Sequence, residues 1–292
     1  MLKYDAVIFD LDGTLTDSQP GIFACAEYAL KKMGLPVPPE ATLRRFLGPP
    51  LAESYMKYCG MTEEQAAYAT DLYRERYIPI GWKENRVYPR IRALLSALKE
   101  RGAYLAVATG KPEHTSVDIL RYFGLLPYFD AVAGPTPEDL HADKGRLIAR
   151  VLPKGRRAVM IGDTAGDVKG AQDMGIDSIA ALYGYGEDSE VLSQGPTHAV
   201  KTTEELCRLL CPDIMLIRLR KLPVFPVNHH VREHQGRGND QGQYGKGVID
   251  HAQPEGPFRL LGSRFLRCPA IRLRSLRRLR QQLLRAYLPA YL

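Results

Sequence analysis

The sequence predicts an α/β protein: a parallel sheet with helices on both faces, carrying a helical insert near its start. Three observations carry that prediction. From residue 89 onward, short apolar runs alternate with segments of helical period, the pattern of strands joined by helical crossovers. Residues 40–79 have helical periodicity and no strand-like run. Several predicted strands also end in residues suited to phosphate or metal, as expected when ligands bind beyond the carboxyl ends of parallel strands.

Residues 4–9 (YDAVIF) form an apolar run closed by DLDGT, a buried strand that ends in a loop. Residues 22–33 read as a helix stopped by Gly34 and Pro36. In the insert, residues 62–77 give the clearest helix, with Thr62 as N-cap and Gln65 at the third helical position. Helices at 91–101, 113–123, 144–152 and 165–174 then alternate with strands at 103–108, 129–133, 158–161 and 178–182. A strand near 198–200 and a helix at 203–210 close the pattern.

Beyond residue 212 the composition changes abruptly. Residues 1–212 hold 25 Lys and Arg against 28 Asp and Glu, whereas residues 213–292 hold 15 against 5, with 13 Arg to 2 Lys. The formal charge of +7 therefore belongs to the tail, and such a break marks a boundary. Residues 223–257, rich in Pro, Gly, Gln, His and Asn, predict disorder. The leucine spacing of residues 271–288 suits an amphipathic basic helix. Three readings of this tail are open: an arm for nucleic acid or an anionic membrane, a partner-binding segment, or an extension like translation past a frameshift, which is preferred.

Five cysteines without a CxxC pair, and no secretory leader, point to a reducing cytoplasm. Cys207 and Cys211, one helical turn apart, read as packing residues. No apolar run reaches the ~18–20 residues needed to cross a bilayer.

The chemistry-bearing residues fall at strand ends. The first predicted strand ends at Asp10, with Asp12 two residues on. The second ends at Thr109, followed by Gly110 and Lys111. The fourth runs into Gly162 and Asp163, with Asp167 a helical turn further, and Lys144 opens the preceding helix. A phosphate monoester is dianionic and repels a carboxylate nucleophile; a divalent cation beside the nucleophile removes much of that repulsion. Magnesium suits such oxygen ligands. Asp10, Asp163 and the Asp12 backbone carbonyl are the expected ligands, with Asp167 a direct ligand or the holder of a metal-bound water. Lys144 and the Thr109 hydroxyl, with nearby backbone N–H groups, suit the transferring oxygens.

Asp10-Leu11-Asp12-Gly13-Thr14, Thr109, Lys144 and Gly162-Asp163 with Asp167 resemble the four motifs of the haloacid-dehalogenase (HAD) superfamily. The resemblance spans residues 4–212. It implies a Rossmann-like core at residues 1–15 and 86–212, with a helical C1 cap at about 16–85. It also implies an aspartyl-phosphate on Asp10, with Asp12 protonating the leaving oxygen and then deprotonating the hydrolytic water. The runs DGTLTDSQPGI, FLGPPL, VYP and VATGKP are similar to the phosphoglycolate phosphatase and 5′-nucleotidase-like branch, in which Lys111 helps hold the phosphate. Gly110 departs from the Ser or Asn commoner there. Thr14 differs from the residue usual in the phosphoglucomutase branch.

Magnesium-dependent hydrolysis of a small phosphorylated metabolite is therefore expected, with no membrane or nucleic-acid partner. A phosphosugar mutase, and a binding protein acting through the basic tail, are the alternatives. In the insert, Arg44 and Arg45 are candidates for a substrate's second anionic group. His114 reads as a bystander, and Trp82, Tyr55, Tyr58, Tyr68, Tyr73 and Tyr77 as packing, with a nucleobase able to stack on one of them. Neither the oligomeric state nor the identity of the phosphomonoester is legible in the sequence.

Overall fold

The computed structural model describes residues 3–139 and 143–212. The basic tail (213–292), including the segments at 223–257 and 271–288, lies outside the described residues.

Eight strands and ten α-helices are described. Six strands make one parallel sheet: β1 (Ala6–Phe9), β4 (Tyr104–Ala108), β5 (Ala131–Ala133), β6 (Ala158–Gly162), β7 (Asp177–Ala181) and β8 (His198–Val200), in the order β5-β4-β1-β6-β7-β8. The chain adds strands on one side of β1 and then on the other, so the sheet's switch point lies at β1. The register is what builds the site. Phe9 aligns with Val107 on one side and Ile161 on the other. Asp10, Thr109 and Asp163 therefore emerge together at the carboxyl edge, where a topological switch opens a crevice.

Side chains alternate along each strand, and each face builds its own core. Val7, Phe9, Leu105, Val107, Val159 and Ile161 face α5 (Ile91–Glu100), α6 (Glu113–Tyr122) and α10 (Thr203–Leu210). Ile8, Ala106, Ala108 and Met160 face α7 (Lys144–Val151) and α8 (Ala165–Asp173). Leu94, Leu95 and Leu98 of α5 are at most 1% exposed; truncating any of them to Ala costs about 2–5 kcal/mol. Cys207 and Cys211 are buried in the first of these cores and form no disulfide.

A second apolar cluster belongs to the insert: α1 (Gln19–Lys32), α2 (Glu40–Leu43), α3 (Leu51–Cys59) and α4 (Glu63–Tyr77). Its centre is Phe46 packed edge-on against Tyr55, ring centroids 5.1 Å apart. The expected capping box starts α4: Thr62 Oγ1 accepts from the Gln65 amide (3.3 Å) and Gln65 Oε1 from the Thr62 amide (3.0 Å), worth about 1 kcal/mol.

Four features differ from expectation. The helix expected from residue 22 starts at Gln19, with Pro20 in its first turn, where its missing N–H costs nothing. The strand expected at 129–133 shortens to Ala131–Ala133: Phe129 caps the 3-10 turn Leu126–Tyr128, and the Asp130 carboxylate accepts from the Leu105 amide at 2.9 Å. A two-stranded antiparallel ribbon, β2 (Thr16–Asp17) with β3 (Arg86–Val87), joins the chain segments entering and leaving the insert. Two residues per strand leave no periodicity to read. Helix α9 (Asp188–Ser193) is likewise too short to signal itself.

Candidate active site

Four loops at the carboxyl edge of the sheet bring the motif side chains together. Asp10 follows β1 and is 7% exposed. Lys144, at the start of α7, donates to Asp10 Oδ1 at 2.9 Å and to the Ala108 carbonyl at 3.2 Å. Its Nζ also stands 2.7 Å from Asp167 Oδ1. Asp167 Oδ2 in turn accepts from the Thr164 amide (3.0 Å) and hydroxyl (2.7 Å). One ammonium is thus held by two buried carboxylates and a carbonyl, and helix starts at α7 and α8 set its position.

Asp163 is gripped from two sides. The Thr14 hydroxyl donates to its Oδ1 (3.1 Å), and the Tyr185 backbone N–H donates to its Oδ2 (2.8 Å). These approaches require glycine. Gly13 has φ +79°, and a Cβ there would overlap the Asp163 carboxylate; a Cβ on Gly184 would meet the same side chain.

Asp12 has a different partner. Its Oδ2 is 2.6 Å from Lys111 Nζ, while its buried Oδ1 has no hydrogen-bond partner. Lys111 Nζ also lies over the Tyr77 ring of α4, 5.4 Å from its centroid, a cation–π distance. Thr109 is 2% exposed, and its Oγ1 accepts from the Lys111 amide (3.3 Å). The hydroxyl therefore shapes the Thr109-Gly110-Lys111 turn and keeps its own proton to donate.

The charges are strained in a way that invites a cation. Burial pushes Asp163 up to about 8, and the Asp10 and Asp167 charges add to this. Burial also lifts Asp10 to about 6, against the pull of Lys144. Burial alone would lower the Lys111 pKa, but Asp12 and Tyr77 more than offset it and raise it, so its ammonium stays charged. Asp10, Asp163 and Asp167 each offer an oxygen within 4.8 Å of the others. An all-oxygen set of buried carboxylates, with Asp10 and Asp163 raised by burial, fits a hard divalent cation such as magnesium.

The chain matches the model of the haloacid dehalogenase-like hydrolases over residues 7–181. It belongs to that family. Among its HAD relatives, a 5′-nucleotidase of Pseudomonas aeruginosa is 38% identical over 201 residues, which cover 68% of this chain and 91% of that protein. A phosphoglycolate phosphatase of Vibrio cholerae is 29% identical, over 67% of this chain and 92% of its own length. The structure of protein tyrosine kinase A from Mycobacterium tuberculosis shares the fold with a TM-score of 0.62 and 38% identity, covering 71% of this chain and 98% of that one. Like the phosphatases among these relatives, this HAD protein is a hydrolase. No described helix is long and apolar enough to cross a membrane.

The two candidate arginines, Arg44 and Arg45, sit elsewhere. Arg44 pairs with Glu40 at 3.0 Å on an exposed surface, and Arg45 lies over the Tyr58 ring at 5.7 Å. His114 bonds to the neighbouring Thr115 hydroxyl. Sequence reading missed three tyrosines. Tyr77 packs against the insert's cluster, as expected, and in addition reaches Lys111. Tyr183 donates to the Thr14 carbonyl (3.0 Å), and Tyr185 holds Asp163. The run Tyr183-Gly184-Tyr185-Gly186 directly follows a predicted strand, so the strand-end rule that picked out Asp10 and Asp163 also pointed there.

Proposed function

We propose that the chain hydrolyses small phosphomonoesters through an aspartyl-phosphate on Asp10, with Asp10, Asp163 and the Asp12 backbone carbonyl holding magnesium and Asp167 in direct or water-mediated support. The observation that carries this reading is the pairing of a buried, Lys144-bound Asp10 with an Asp12 whose Oδ1 has no partner. Bound there, the cation would screen the nucleophile from the dianionic phosphate.

The residues divide the work. Lys144 fixes Asp10 through Oδ1, leaving Oδ2 to attack phosphorus. As the new O–P bond forms, the P–O bond to the leaving group breaks, and Asp12 gives that oxygen its proton. Asp12 then takes a proton from water as the water attacks the aspartyl-phosphate, which frees Asp10 and releases phosphate. Lys111 leaves Asp12 for the incoming phosphate, beside the Thr109 hydroxyl and the Gly110 and Lys111 amides.

Residues 1–15 and 86–212 act as the core and 16–85 as a cap that closes over the substrate. The insert's own hydrophobic cluster and the ribbon of Thr16–Asp17 with Arg86–Val87 support that division. Nucleoside monophosphates are the preferred substrates and phosphoglycolate the next, in the order of the relatives' identity to this chain. Tyr77 would offer a ring face to a nucleobase once Lys111 leaves it, and Arg44 or Arg45 would have to leave their present partners to meet a second anionic group. A cytoplasmic location suits such substrates and cysteines that form no disulfide.

A panel of nucleoside 5′-monophosphates, phosphoglycolate and sugar phosphates, with magnesium and with excess chelator, tests the reading. Turnover of none of them, or full activity in chelator, would refute it. The kinase relative makes a tyrosine acceptor the second reading; phosphate transfer from ATP to a tyrosine substrate, without net hydrolysis of monoesters, would favour it.

A further inference from the structure

We propose that Tyr185 is a positioning residue that ties the Asp163 carboxylate to the chain segment entering the insert, so that cation binding and cap position are coupled. The inference rests on the proposed cation site and cap.

One residue makes both contacts. The Tyr185 backbone N–H donates to Asp163 Oδ2 at 2.8 Å. Its hydroxyl donates to Asp17 Oδ1 at 2.9 Å and accepts from the Gln19 amide at 3.1 Å. Asp17 is the last residue of β2 and Gln19 the first of α1. The first amides of a helix have no acceptor within it, so the Tyr185 hydroxyl supplies part of what holds α1 at its root. Asp17 completes the arrangement, accepting from the Gln19 amide at 3.3 Å.

The rest of the loop makes this bracket stiff. A Cβ on Gly184 would overlap the Asp163 side chain, and one on Gly186 would overlap the Asp163 carbonyl. The loop therefore lies directly against Asp163 and cannot move independently of it. Two residues earlier, Tyr183 donates to Thr14 O at 3.0 Å and packs edge-on against Tyr88, centroids 5.1 Å apart. Thr14 precedes β2 and Tyr88 follows β3. The loop thus touches both segments that connect insert and core. A cation held by Asp10 and Asp163 would fix the Asp163 carboxylate and, through it, Tyr185, whose hydroxyl would carry the constraint to α1. Linkage makes the effect reciprocal: a connector held by Tyr185 favours the cation-bound carboxylate geometry.

The test uses the full chain, with amide exchange at Gln19 followed by NMR and magnesium chloride as the probe. In the wild type, saturating magnesium slows exchange at Gln19 by at least about fivefold. In Tyr185→Phe, which keeps the ring and the backbone N–H, that slowing is lost and magnesium binding, measured by calorimetry, weakens severalfold. Asp17→Ala removes one contact of the Tyr185 hydroxyl and leaves the other, on the Gln19 amide, so it reduces the slowing without abolishing it, and the double variant matches Tyr185→Phe. Equal slowing in the wild type and both variants, or none in the wild type, overturns the coupling. A wild type that hydrolyses no phosphomonoester removes the proposed reaction instead, while the exchange result still decides the coupling.

Discussion

Lys111 Nζ lies 2.6 Å from Asp12 Oδ2, and in the proposed reaction both side chains act elsewhere during turnover. The contact stabilises the ligand-free site: it pairs a charged ammonium with the proposed acid–base residue. Phosphate competes for the same ammonium. Lys111→Met should therefore act mainly on substrate capture. The expected loss in kcat/KM is on the order of 10²-fold, chiefly through KM, read from steady-state kinetics on whichever monoester the panel identifies.

Asp10→Asn should remove turnover, by about 10⁴-fold or more, because an amide oxygen is a poor nucleophile. It should also raise the thermal midpoint of the metal-free protein, since one of the mutually repelling carboxylates is gone. A variant that retains near-normal rates would exclude Asp10 as the nucleophile.

Lys144→Met should be far more damaging to the fold. Its side chain is 14% exposed and pairs with the side chains of Asp10 and Asp167, which are 10% and 1% exposed. Removing one member of a buried charge cluster costs about 3–5 kcal/mol. Denaturant unfolding measures this; a loss below about 1 kcal/mol would mean that water reaches the cluster.

Metal removal should couple to pH. Asp163 and Asp10 have folded-state pKa values of about 8 and about 6, above the ordinary carboxylate value of 3.8. A raised carboxylate favours folding while it is neutral, so its contribution is complete below that ordinary value and is lost as pH rises through the folded one. The metal-free protein should thus lose stability between about pH 4 and pH 8. Magnesium should restore it most at the alkaline end, where both groups are ionised and no proton need be displaced. Calorimetric scans at pH 6 and pH 8.5, with magnesium and with chelator, check this; an equal magnesium shift at both would count against the assignment.

Much of this site is legible in the sequence because strand ends are. Asp10, Thr109 and Asp163 each follow an apolar run, and parallel register carries such positions to one edge. Lys144 is legible as the first residue of a helix, though its grip on both Asp10 and Asp167 is visible only in the fold. Asp167 shows the same limit. Its sequence position allows a ligand, and its contacts make it first an anchor for Lys144.

The sequence by itself determined the α/β class, the order of the elements and the motif residues, because hydrophobic period and strand-end chemistry are local properties. Tertiary structure decided which partners those residues take. Tyr77 reaches Lys111 from the insert, 34 residues away in the chain, and Tyr185 holds Asp163 and Asp17 at separations of 22 and 168 residues. Such contacts depend on how two packed layers meet around a four-residue ribbon, and no periodicity records that. The chemistry was written locally; the placement of the insert over it was a matter of packing.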